Sequence, residues 1–274
     1  MRKAMNTRQR RMTGFLRVLP NFLIIGGQKC GTTSLYSYLG QHPSVLRATP
    51  KEVHFFDERF HRGLNWYRAH FPMATSRLLI NLRGDACLVG EASPYYMFHP
   101  LVPLRVHTLL PQARVIALLR NPVDRALSHY HHQVRKGRET LSFEEAVEQE
   151  TCRLSGEVDR MIGDPRYRSF NHRHYSYLSR GLYLEQLQRW AQVFRRDQML
   201  ILRAEDLFVD PSSTFKQVCE WLQLRPIHLP EFKRRNQGQY AAMSQSTRRQ
   251  LLAFFEPHNQ RLYQHLGRDF GWNA

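Results

Sequence analysis

The chain has 274 residues, of which 42% are hydrophobic and 12% aromatic, with a formal charge of +17. That is enough for one sizeable α/β domain with a full core, and too apolar for a disordered protein. No apolar run approaches the ~20 residues a membrane-spanning helix needs, and the surplus of Lys and Arg favours anionic partners.

Met1 to Leu19 carries six Lys or Arg and no acidic residue. No long apolar segment follows, as a secretory signal would require, so residues 1–19 read as a basic, mobile tail and 20–274 as one domain. The four cysteines (Cys30, Cys87, Cys152, Cys219) show no metal-ligand spacing, which fits a reducing, cytoplasmic setting.

Asn21 to Ile25 is a short apolar run bounded by Pro20 and Gly26, the pattern of a strand buried on both faces. GGQKCGTTSLYSYL follows, with Leu35, Tyr38 and Leu39 at helical spacing and a stop near Gly40. Leu88-Val89 is a weaker strand candidate. RVIALL (Arg114 to Leu119) is a stronger one, and Asn121-Pro122 then starts a helix running to about Lys136. A further strand, Met199 to Leu202, precedes a helix from Asp210-Pro211 through Trp221. Leu182 to Phe194 and Thr247 to Leu266 read as amphipathic helices. Strands alternating with helices imply a P-loop-type open parallel β-sheet flanked by helices on both faces, in a single domain.

The turn after the first strand resembles a phosphate loop with one displacement. Gly26 and Gly31 hold the two glycine positions of G-x-x-x-x-G-K-[ST], and Thr33 holds the hydroxyl position. Thr32 stands where the lysine belongs, and the lysine comes three residues early, as Lys29. A glycine turn opening a helix presents N–H groups and the positive end of the helix dipole to an anion, and Thr32, Thr33 and Ser34 add hydroxyls. No apolar strand ends in an evident Mg²⁺-holding Asp; RVIALL is followed by Arg120, a bidentate phosphate binder that repels Mg²⁺. The pattern suggests a metal-free donor with one phosphate for the loop and another for Arg120.

The segment PKEVHFFDERF places Lys51, Glu52, His54 and Asp57 together. In an extended stretch Glu52 and His54 share one side, giving a carboxylate–histidine pair suited to acid–base work. Trp66, Tyr67, Tyr95 and Tyr96 read first as core aromatics and second as the lining of an acceptor cleft.

Six stretches together resemble the sulfotransferases that use 3′-phosphoadenosine 5′-phosphosulfate (PAPS), most nearly the heparan sulfate glucosaminyl sulfotransferases and their bacterial relatives. They are FLIIGGQKCGTTSLYSYL, PKEVHFFD with GLNWYRAHFP, GEASPYYMF, ARVIALLRNPVDRALSHY, RGLYLEQLQRW and the ending GRDFGWN. The resemblance spans about Asn21 to Trp272. It implies that Gln28, Lys29, Cys30, Gly31, Thr32, Thr33 and Ser34 hold the 5′-phosphosulfate, that Arg120 and Ser128 hold the 3′-phosphate, and that Gln237-Gly238 lies in a donor loop. It implies Glu52 as the base with His54 and Asp57 in support, Lys29 at the departing phosphate, and Lys51, Asp57 and Tyr95 near the acceptor.

The chain departs from those relatives at Ala92 and at Gln237, where they carry lysines; Arg234 or Arg235 is a candidate substitute for the second. The expected reaction is transfer of a sulfuryl group to a hydroxyl, or to an amine, of a carbohydrate, glycolipid or small metabolite, with no metal and no specific nucleic acid. A Mg²⁺-dependent kinase with a degenerate loop and a basic nucleic-acid binder are the alternatives.

Overall fold

The computed structural model describes residues 7–233 and 243–273. Among them, five strands form one parallel sheet: β1 Phe22–Gly26, β2 Val45–Arg47, β3 Leu88–Ala92, β4 Arg114–Leu119 and β5 Met199–Arg203, in spatial order β2-β3-β1-β4-β5. The helices of eight residues or more are α1 Thr32–Leu39, α2 Ala74–Asn81, α3 Val102–Leu109, α4 Pro122–Arg135, α5 Tyr183–Ala191, α6 Pro211–Trp221 and α7 Gln245–Leu266.

The inner strands are apolar at nearly every position because alternate residues feed two different cores. Leu23 and Ile25 of β1, with Val115, Ala117 and Leu119 of β4, pack on one face against α3 and α5. Phe22, Ile24, Ile116 and Leu118 pack on the other against α1 and α6. The chain leaves β1 toward β2 on one side of the sheet and leaves β4 toward β5 on the other. Their carboxyl ends therefore open a crevice at the point where the winding reverses, the usual ligand position in such sheets. Lys29 and Arg120 follow those two strand ends.

Two expectations change. The segment expected as a mobile tail is docked over residues 14–19: Arg17, 8% exposed, donates to the Phe71 carbonyl at 2.7 Å and forms an antiparallel bridge with Met73. Val18 joins the core and its N–H bonds the Pro72 carbonyl at 3.1 Å. An apolar residue with a cavity to fill and an arginine with a carbonyl to meet hold this stretch down. The edge strand β2 is the second difference; three residues pairing only with β3 are too few to show a periodicity. Gln237-Gly238 and Arg234-Arg235 lie outside the described residues.

Candidate active site

At the end of β1 the chain turns through Lys29 (φ 69°) and Gly31 (φ 85°), both left-handed, and enters α1 at Thr32. Glycine suits the second position twice over, since a Cβ at Gly31 would also lie 2.9 Å from the Phe208 ring. Thr32 and Ser34 are buried in the first turn of α1, at the positive end of its dipole. Gln28 accepts a hydrogen bond from Arg180 through its side-chain oxygen. Cys30 is fully buried, and burial pushes its thiol up to about 11. Partial burial and the nearby Arg135 and Arg120 lower the Lys29 ammonium to about 8.

Arg120, at the end of β4, donates through Nη1 to the Lys29 carbonyl at 3.3 Å. The Tyr183 hydroxyl pins the Arg120 backbone by donating to its carbonyl at 2.7 Å. Asn121 caps α4 by accepting from the Val123 N–H at 3.0 Å, which fixes where the helix starts. Inside α4, Arg125 is 0% exposed; it donates to the Tyr177 carbonyl, while its Nε and Nη1 find no partner among the described residues. Arg180, 2% exposed, donates to the His172 and Arg173 carbonyls and to the Ser176 hydroxyl, each at 3.0 Å, and lies over the Tyr95 and Phe98 rings. Among the described residues no carboxylate lies within ion-pair distance of Lys29, Arg120, Arg125 or Arg180. A concentration of positive charge this poorly compensated is suited to a multiply charged anion.

The segment after β2 is built differently. Lys51 Nζ donates to Thr33 Oγ1 at 2.9 Å and to Glu52 Oε1 at 3.0 Å. The other Glu52 oxygen is 3.2 Å from His54 Nε2, and His54 Nδ1 is 2.7 Å from Asp57 Oδ2. One chain of contacts thus runs from the phosphate loop to a buried aspartate. Burial opposes charge on His54, but its hydrogen bonds to Asp57 and Glu52 outweigh that and raise it to about 9. Burial opposes charge on Glu52 as well, yet the His54 hydrogen bond and the Lys51 charge bring it down to about 2. Tyr96 holds this segment from below, accepting the Phe55 N–H at 3.0 Å. Arg173 flanks it, with Nη2 3.3 Å from His54 Nε2 and an ion pair to Glu58. A cleft of about 510 Å³, lined by Thr33, Ser37, Arg47, Thr49 and Lys51 among others, opens beside the Thr33–Lys51 contact.

A family model described as a sulfotransferase domain matches residues 19–246. A membrane-associated sulfotransferase of Dictyostelium discoideum is 31% identical over 94% of this chain and 68% of its own length. Heparan sulfate glucosamine 3-O-sulfotransferase 3B1 of Mus musculus is 30% identical over 93% of this chain and 65% of its own length. A solved sulfotransferase structure from Alicyclobacillus acidocaldarius superposes with a TM-score of 0.71 at 32% identity, covering 94% of this chain and 100% of that one. This chain belongs to the sulfotransferase family. The sulfotransferase spans about two thirds of the length of the two curated relatives.

Within this sulfotransferase, residues from three stretches of sequence come together: Arg120 meets the Lys29 carbonyl, and Thr33 meets Lys51, which leads on through Glu52 and His54 to Asp57. Ser128 is buried on α4, and among the described residues no hydrogen bond joins it to Arg120. Glu52 and His54 come together for a reason other than strand alternation: His54 is left-handed (φ 52°), and Phe55–Arg59 coils into a wide helical turn. Asp57, expected both to support Glu52 and to lie near the acceptor, and Tyr95, expected near the acceptor, are turned inward. The Asp57 side chain is 0% exposed and orients His54. The Tyr95 hydroxyl bonds His172 Nδ1 at 2.8 Å, and its ring lies under Arg173 and Arg180. Sequence reasoning missed Arg180, Arg173, Arg135 and His132. The last two had a signal, since Ser128, His132 and Arg135 recur at one helical face. Burial and the Lys29 charge lower His132 to about 4.

Proposed function

We propose that this sulfotransferase moves a sulfuryl group from PAPS to a hydroxyl of a carbohydrate, glycolipid or small-metabolite acceptor by in-line displacement. The observation that carries the reading is the Thr33–Lys51–Glu52–His54–Asp57 chain, which joins a loop suited to phosphate to a carboxylate suited to a proton. Lys29, Arg120, Arg125 and Arg180 supply positive charge with which no described carboxylate forms an ion pair, which fits a donor with a 3′-phosphate and a 5′-phosphosulfate.

In this reading Glu52, ionised at neutral pH, takes the acceptor proton as the acceptor oxygen bonds to sulfur. Lys29 stands at the bridging oxygen of the 5′-phosphate, which keeps the electron pair of the broken sulfur–oxygen bond. A cation there stabilises the transition state more than the ground state. His54, held by Asp57, fixes the Glu52 carboxylate, and the α1 dipole, Thr32, Thr33 and Ser34 receive phosphate oxygens. Arg120, with Ser128, takes the 3′-phosphate. Saccharide acceptors are supported by the relative named for heparan sulfate glucosamine. The four unpaired cysteines support a reducing, cytoplasmic setting.

The test is an acceptor screen with isotopically labelled PAPS, with product mass read by mass spectrometry. Label transferred to a saccharide or other hydroxyl is the expected result. No transfer to any acceptor, together with Mg²⁺-dependent ATP binding, would overturn the reading in favour of a kinase.

A further inference from the structure

We propose that Arg10–Leu16 and α2 with its following turn form one docking surface for an anionic lipid bilayer. Six large apolar side chains in these two short segments face solvent: Met12 (79% exposed), Phe15 (66%), Leu16 (44%), Leu78 (56%), Leu79 (60%) and Leu82 (74%). Thirteen large hydrophobic residues are exposed among the described residues, and nearly half of them fall here.

The segments are neighbours in space. The Arg17–Met73 bridge sets the chain just after Leu16 beside the residue that precedes α2. The first segment is also held in place: Gly14 packs so closely on Asn65 that a Cβ would lie 2.9 Å from its carbonyl oxygen, and Arg17 is clasped to the Phe71 carbonyl at 2.7 Å. These anchors are buried, and Phe15 and Leu16 are left outside them. Leu78 and Leu79 lie on α2 and Leu82 caps its C-terminal end in helical conformation, four and three residues on, so the three share one side of the helix.

Charge identifies the occupant. Arg11 flanks the first apolar group, with Arg10 turned to the Phe71 carbonyl at 3.2 Å, Arg77 and Arg83 flank the second, and residues 1–19 contain no acid. The acidic residue nearest the second group in sequence, Asp85, is occupied by Arg225 at 3.3 Å. Apolar side chains ringed by arginines suit the boundary between anionic headgroups and acyl chains. A second copy of the chain would bring arginines against arginines on molecules of charge +17. A nucleic acid would accept the arginines and leave the phenylalanine and leucines in water.

The test is flotation of the full chain with vesicles of phosphatidylcholine alone and of phosphatidylcholine with phosphatidylserine. The parent should float with the second and not with the first. The triple variant Phe15→Ser, Leu78→Ser, Leu82→Ser keeps every charge, so it should partition at least about tenfold more weakly at an unchanged thermal midpoint. Equal flotation of parent and variant would mean that charge alone binds lipid, and would overturn the proposal. So would failure of the parent to float, or sedimentation showing that these residues instead drive self-association.

Discussion

The two sides of the crevice treat charge in opposite ways. On the loop side, Lys29, Arg120, Arg125 and Arg180 gather with no carboxylate within ion-pair distance among the described residues, and burial together with the charges of Arg135 and Arg120 lowers Lys29 to about 8. On the base side, Lys51, Glu52, His54 and Asp57 pair end to end, and Glu58 pairs with Arg173. An uncompensated cluster shows where a ligand must bring charge of its own. A compensated chain keeps its geometry whether or not a ligand is present. Lys51 belongs to both, since it touches Thr33 and Glu52 at once.

Substitutions on the base side should therefore remove chemistry and spare binding. Glu52→Gln should lower turnover by about 10²–10⁴-fold while adenosine 3′,5′-bisphosphate binds as before; comparable turnover would remove Glu52 as the base. On the loop side, Lys29→Ala should cost about 10²–10³-fold in turnover, or roughly 3–4 kcal/mol, with the fold intact. Steady-state rates and a thermal melt measure both. Arg120→Ala should weaken the bisphosphate by about 10–10²-fold, the size of a lost charged hydrogen bond of about 1.5–3 kcal/mol, and leave adenosine 5′-monophosphate little changed.

The pH response should separate the sides again. The Lys29 ammonium is lost as pH rises through about 8, and an anion binds its charged form. Bisphosphate affinity should be level below that pH and fall above it by at most about tenfold per unit, and Lys29→Ala should flatten the decline. Calorimetry across pH reads this directly. On the base side, His54 is raised to about 9, so the stability it contributes is complete below its unfolded pKa and lost as pH rises through about 9. Asp57→Asn should lower the His54 pKa by about one unit or more, read by NMR of the imidazole; an unshifted titration would show that Asp57 does not hold the ring.

The sheet was legible in the sequence because burial on both faces makes each inner strand a continuous apolar run, as in RVIALL. The edge strand β2 offered no such run. Lys29, Arg120, Lys51, Glu52 and His54 were legible because each stands at a fixed offset from a strand end or within one short stretch. Arg180 and Arg173 were not, because they reach Gln28 and His54 across more than a hundred residues, through packing that no local pattern encodes. Asp57 and Tyr95 carried the right chemistry in the right neighbourhood, but which way a side chain faces is decided by the wide turn at Phe55–Arg59 and by the bond to His172.

Titration calorimetry in the absence of divalent metal, with adenosine 3′,5′-bisphosphate and with adenosine 5′-monophosphate, tests most directly whether the cation cluster is the donor site. The bisphosphate should bind much the more tightly, and Arg120→Ala should erase most of that preference. Equal affinity for the two nucleotides, or a preference that survives Arg120→Ala, would contradict the assignment.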